Sequence, residues 1–138
     1  ITIYISSPGG HVESGDVVYD MIKFIKPEVR VVGTGWVASA ATTIYLAAKK
    51  ENRYSLPNTR YLVHQPSGGS RGDATDISIQ AEQILKTKKR VNKMISDETG
   101  RPLEQVEKDT DRDYWMSPEE AIEYGIVAKV ISSVSELS

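Results

Sequence analysis

From Ile1 to Val63 the chain alternates between two hydrophobic periods, and that alternation constrains the fold more than any other feature. Ile1 to Ile5 is β-branched and aromatic and runs into Pro8-Gly9-Gly10, a strand ending in a turn. Between Val12 and Lys26 the apolar residues Val17, Val18, Met21, Ile22 and Ile25 recur at spacings of three and four, which predicts an amphipathic helix stopped by Pro27. Val29 to Gly35 is short, apolar and bounded by Pro27 and glycines, so it reads as a buried strand. Ala38 to Lys50 is alanine-rich and closes on Lys49-Lys50, residues that suit the negative end of a helix dipole. Arg53 to Leu56 and Arg60 to Val63 are strands parted by the turn signal Pro57-Asn58. Strands that alternate with helices pair in parallel through helical crossovers, so the fold class is α/β.

The second half is organised differently. Pro66-Ser67-Gly68-Gly69-Ser70-Arg71-Gly72 is too glycine-rich for a core element and predicts a flexible strand or loop. From Ala74 to about Thr99, Ile77, Ile79, Ile84, Leu85, Val91, Met94 and Ile95 recur among many charges. A helix of that length exceeds what so small a domain can cover, so it is expected to project and pack against something else. Leu103 to Lys108 predicts a short helix, and Ser117-Pro118-Glu119-Glu120 an N-cap, a first-position Pro and an acidic first turn for another, which Gly125 ends. Ile126 to Ile131 is the closing strand, and the Ser-rich end beyond it is expected to fray. Because Ile1 already lies inside a strand, an N-terminal portion is expected to be missing.

Composition removes several chemistries. With no Cys there is no disulfide scaffold, thiolate zinc site or cysteine nucleophile, and His11 and His64 are the only histidines. The net charge of −2 comes from 17 basic and 19 acidic residues spread along the chain, which argues against nucleic-acid binding or a polybasic membrane anchor. No apolar run approaches the roughly 18 residues of a membrane span. Neither a metal-ligand spacing such as H-E-x-x-H nor a G-x-G-x-x-G or Walker pattern occurs, so metal and nucleotide chemistry are set aside.

In open α/β sheets functional groups gather at the carboxyl ends of strands. Three features fall there: Ser6-Ser7-Pro8-Gly9-Gly10, Gly35-Trp36-Val37-Ala38-Ser39-Ala40, and His64-Gln65-Pro66. A serine hydroxyl needs a base to take its proton, the base needs a carboxylate to fix its tautomer, and the tetrahedral product needs donors for its oxyanion. Ser39 at a helix start offers the nucleophile and His64 the base. The N–H groups of Ala40 and Gly10 offer the oxyanion donors. The acid is one of Asp109, Asp111 and Asp113, with Arg112 available to hold another of the cluster.

These motifs, in this order, resemble the ClpP-type serine peptidases, the proteolytic subunits of the Clp protease family. The resemblance rests on Ile5-Ser6-Ser7-Pro8-Gly9-Gly10, Ala38-Ser39, Leu62-Val63-His64-Gln65-Pro66 with Gly68-Gly69, and Asp109-Thr110-Asp111-Arg112-Asp113, and it runs from Ile1 to about Ile131. It implies a crotonase-like fold of stacked β-β-α turns with a protruding handle strand and long helix. The head would be 1–65 and 100–131 and the handle 66–99 of a single peptidase domain 1–138 lacking its N-terminal segment. It implies a Ser-His-Asp endopeptidase with Ser39 as nucleophile, His64 as base, Asp113 as orienting acid and the Gly10 and Ala40 N–H groups as oxyanion donors.

Extended substrate would lie between Gly9-Gly10-His11-Val12 and Pro66-Ser67-Gly68-Gly69, held by main-chain bonds. The same resemblance implies heptameric rings stacked as a tetradecamer, with Asp111 and Arg112 in the ring–ring contact. It further implies an AAA+ unfoldase partner such as ClpX, ClpA or ClpC that consumes the ATP, unfolded polypeptide substrates, no cofactor or metal of its own, and a cytoplasmic or organellar location. Ser6 stands where the family usually has Asn, Ala40 where it usually has Met, and Trp36 and Val37 where smaller or more polar residues are common. A weakly catalytic subunit that completes a mixed ring is the alternative reading.

Overall fold

The computed structural model describes residues 1–64 and 74–137, and the substrate-strand residues Pro66, Ser67, Gly68 and Gly69 lie outside them. The predicted alternation is realised as β1 (Thr2–Ser7), α1 (Val12–Phe24), β2 (Arg30–Ala38), α2 (Ala40–Tyr45), β3 (Arg53–Ser55) and β4 (Arg60–Val63). There follow α3 (Ala74–Thr99), α4 (Leu103–Thr110), β5 (Tyr114–Met116), α5 (Pro118–Tyr124) and β6 (Lys129–Val130).

One sheet joins all six strands, and β2 is its hub. β1 lies parallel to it from Thr2↔Arg30 to Ile5↔Gly33 and again at Ser7↔Val37. β3 pairs with its first half (Val31↔Arg53 to Gly33↔Ser55) and β4 with its second (Trp36↔Arg60 to Ala38↔Leu62), both parallel. β6 extends the sheet beside β3 in parallel, and β5 closes on β4 antiparallel.

Four local expectations change. The second strand does not end near Gly35 but continues to Ala38, because Trp36, Val37 and Ala38 find a partner in β4. The alanine-rich helix is cut to Ala40–Tyr45, after which Leu46, Ala47 and Ala48 are buried as a turn rather than as helix. The apolar residues of α1 divide between two faces: Ile22 and Ile25 pack on the core, whereas Val17, Met21 and Phe24 stand exposed. The Ser-rich end is ordered as well. The Glu136 carboxylate accepts the N–H groups of Ser132 and Ser133, Arg30 donates to the Leu137 carbonyl, and Leu137 packs with Val32 and Ile131.

The core is built from Val31, Val37, Tyr45, Leu46, Tyr61, Val63, Val106, Met116 and Ile126. Only the C-terminal part of α3 contributes to it, through Val91 and Ile95; Ile77, Ile79 and Leu85 farther up the helix are exposed. Arg53, 1% exposed, anchors that end of α3. Its guanidinium donates to the carbonyls of Glu98 at the end of α3 and of Gly125 and Ile126 after α5. Burial lowers its pKa.

Gly33 is fixed by packing. A Cβ there would overlap the Tyr61 hydroxyl, and Tyr61 is fully buried with its Oη unbonded. Gly33→Ala is therefore expected to destabilise the fold by about 1–3 kcal/mol. Tyr61→Phe, which removes both the obstructing oxygen and an unsatisfied buried hydroxyl, is expected to cost little and to recover part of the loss. Urea unfolding of the two single variants and the double variant measures this, and purely additive effects would contradict the packing assignment.

Candidate active site

Strand register assembles the site. The pair Ala38↔Leu62 sets the ends of β2 and β4 side by side, so Ser39 emerges next to the residues that lead to His64. The Ser39 N–H donates to the Leu62 carbonyl at 3.2 Å, and buried Thr42 ties the two strands again, its Oγ1 donating to Leu62 O (2.8 Å) and Val37 O (3.2 Å). On the other side of β4 the antiparallel pair Val63↔Tyr114 makes His64 and Asp113 the next facing residues. Their side chains meet there, His64 Nδ1 lying 3.3 Å from Asp113 Oδ1. A carboxylate at Nδ1 holds that nitrogen's proton and leaves Nε2 as the acceptor, the tautomer a general base requires.

The backbone at Ser39 is unusual. Its φ of 57° and ψ of −119° make it the one non-glycine with positive φ among the described residues, a conformation that costs on the order of 1–3 kcal/mol. Ser39 heads α2 yet makes no side-chain capping bond, so its Oγ is not committed to the helix it starts. Thr42 N–H reaches back to Ser39 O at 3.0 Å, closing the first turn. Among the described residues no hydrogen bond joins Ser39 Oγ to His64, so the His64–Asp113 contact is formed and the link from serine to base is open.

The glycine turn presses on the serine from the opposite side. Gly9, at φ 98°, sits where a Cβ would come within 2.6 Å of Ser39 Cβ and 2.8 Å of Ala38 O. Gly10, at φ 148°, has open space beside it, and His11 caps α1, so that Val12 is already helical rather than part of an extended strand. Gly10 and Ala40 together border an open cleft of about 440 Å³ whose walls include Ile5, Gly15, Val18 and Ile44.

Hydrogen bonding sets Asp109 apart from the rest of the acidic cluster. Asp109 is buried, accepts from Tyr124 Oη at 2.9 Å and from Gln105 Nε2 at 3.0 Å, and is thereby removed from the candidates for the acid. Burial, and after it that carboxylate, push the Tyr124 hydroxyl above the usual range for a phenol. Asp111 and Arg112 are exposed. Among the described residues no group of three or more His, Asp or Glu is placed to hold a metal ion, and no helix is long and apolar enough to cross a membrane. Thr42 and Gly15 escaped the sequence reading. A threonine inside an alanine-rich stretch following a strand was the available sign of the first.

Residues 1–134 match the family model described as Clp protease. The chain is 59% identical over 137 residues to the ATP-dependent Clp protease proteolytic subunit 3 of Rhizobium etli, covering 99% of this chain and 71% of the relative. It is 51% identical to the proteolytic subunit 2 of Pseudomonas aeruginosa, covering 100% of this chain and 69% of that one. Among solved structures it is similar to ClpP1 of Listeria monocytogenes, 56% identical with a TM-score of 0.89 over 100% of this chain and 76% of that chain. The N165D mutant of that protein gives 57% identity and a TM-score of 0.93, over 100% of this chain and 77% of that one.

The contact between Gly9 and Ser39 predicts that Gly9→Ala moves the serine. Both the positive φ and the absent space oppose a Cβ there, so reaction of Ser39 with a fluorophosphonate is expected to slow by about tenfold or more while circular dichroism stays that of the parent. Unchanged labelling would show that the turn does not position Ser39.

Proposed function

The chain belongs to the Clp protease family as a proteolytic subunit and serine peptidase with the crotonase-like α/β fold, and from that premise we propose that Ser39, His64 and Asp113 are its catalytic triad. The observation that carries the proposal is the strand register, which brings His64 Nδ1 to 3.3 Å from Asp113 and ties the Ser39 backbone to the same strand that delivers His64. In this reading His64 Nε2 takes the Ser39 proton as Oγ attacks the scissile carbonyl, and the imidazolium returns it to the leaving amine. The N–H groups of Gly10 and Ala40 receive the developing oxyanion. Ala40 serves by its main chain, so the absence of the methionine usual at that position does not remove the donor.

Unfolded polypeptide is the proposed substrate, lying extended along Gly9 and Gly10, up to the His11 cap, and the segment Pro66, Ser67, Gly68 and Gly69. Main-chain pairing of this kind gives grip with little sequence choice. Head (1–65 and 100–131) and handle (66–99) form one peptidase domain, and the exposed Ile77, Ile79 and Leu85 are the handle's apolar contacts with a second ring. Stacked heptamers, with Asp111 and Arg112 at the ring–ring contact, and a Clp ATPase such as ClpX, ClpA or ClpC complete the proposed assembly. The ATPase uses the ATP, and the peptidase chemistry needs no cofactor.

Ser39→Ala is expected to abolish hydrolysis of a fluorogenic peptide while sedimentation shows an unchanged assembly. Asp113→Asn, which keeps the shape and loses the charge that fixes the His64 tautomer, is expected to lower kcat by about a hundredfold with a smaller change in KM. Turnover by the Ser39 variant at a substantial fraction of the parent rate would overturn the assignment.

A further inference from the structure

We infer that His11 is a positioning residue for the oxyanion donors; the inference rests on the triad reading above. His11 directly follows Gly10 and is the N-cap of α1: its Nδ1 accepts the Ser14 N–H at 3.3 Å and lies 2.9 Å from Ser14 Oγ. The first helical bond runs from Gly15 N–H to His11 O at 3.2 Å, so cap and first turn form one unit. That unit touches both donors. At its upstream end it continues into Gly10. At its downstream end buried Gly15 lies against α2, where a Cβ would come to 3.3 Å from Ala40 O and 3.4 Å from Ala40 Cβ. The His11–Ser14 cap thus fixes the turn that presents Gly10 and, through Gly15, the helix start that presents Ala40.

An acceptor at this position satisfies the Ser14 N–H, one of the donors that a helix start leaves without an intrahelical partner. Glu13 on α1 and Arg90 from α3 line the same cleft as Gly10, His11 and Val12, and Arg90 is held by Asp16 in two bonds of 3.0 and 2.8 Å.

The test compares kcat for a fluorogenic peptide in the assembled full-length protein with His11 intact, His11→Asn and His11→Val. Asn supplies a non-titrating acceptor and Val supplies none. At pH ~8 the Asn variant is expected to exceed the Val variant in kcat by about fivefold, with KM moving less. Equal kcat for the Asn and Val variants, or a loss in the Val variant carried by KM alone, would overturn the role of His11. Fluorophosphonate labelling of Ser39 in the parent separates the two readings. A labelled parent with equal Asn and Val rates removes only the role of His11, whereas an unlabelled parent removes the triad and this inference with it.

Discussion

The pairing of β4 with β2 is the constraint on which the site depends. Three residue pairs, Trp36↔Arg60, Val37↔Tyr61 and Ala38↔Leu62, fix where His64 falls relative to Ser39. Side chains alternate along a strand with a rise of about 3.3 Å per residue, so a slip of one residue would turn Tyr61 and Val63 out of the core and carry His64 away from the serine. Tyr61 and Val63 are 0% and 1% exposed, which makes that slip costly and the register definite. Thr42 reinforces it with two bonds that span the strands. The same strand then sets Asp113, because β5 pairs with β4 rather than with the strand that leads to Ser39. His64 and Asp113 are thus positioned by one ladder, Ser39 and His64 by its neighbour.

Much of this was legible in the residues. The alternating periods over Ile1 to Val63 gave the parallel α/β arrangement, and the structure sets the Pro-Gly-Gly turn after β1 against Ser39 at the end of β2, with His64 directly after β4. What was not legible has a common cause. β5 is three residues long, too short to display a period, and it exists because Met116, Trp115 and Tyr114 find partners on β4. The end of β2 was placed too early because Gly33 and Gly35 look like a stop. The structure instead uses Gly33 to admit the Tyr61 ring and Gly35, at φ 61°, to continue the strand with a kink. Residue type and spacing left Asp109, Asp111 and Asp113 open, and only the family resemblance named Asp113; what sets Asp109 aside is Tyr124 and Gln105 reaching it from α5 and α4.

α1 illustrates how far an apolar period can be read. A stripe at three and four spacing predicts that a helix is amphipathic, but it does not say what covers the stripe. Ile22 and Ile25 are taken up by this chain's own core, while Phe24 is 82% exposed and Val17 65% exposed. For a subunit of a ring-forming family such a divided helix is coherent, since one face serves the fold and the other is left for surfaces outside the chain. The same division runs along α3, whose C-terminal part is core and whose earlier turns carry exposed Ile77, Ile79 and Leu85.

The small residues around Ser39 follow from a single requirement. A serine held at positive φ departs from the usual path of a strand entering a helix, and its strain of on the order of 1–3 kcal/mol must be offset by its surroundings. Bulk near it would add to that cost, and the neighbours are accordingly Gly9, Ala38, Ala40 and Ala41, with Gly9 so close that no Cβ fits. What offsets the strain is hydrogen bonding from both sides of the serine: Ser39 N–H to Leu62, Thr42 N–H back to Ser39 O, and Thr42 Oγ1 to Leu62 and Val37. Each acceptor or donor in that set belongs to β2, β4 or the first turn of α2, the elements that lead to Ser39 and His64. The energy that keeps Ser39 in its unusual conformation is therefore drawn from the contacts that place His64, and neither can be loosened without loosening the other.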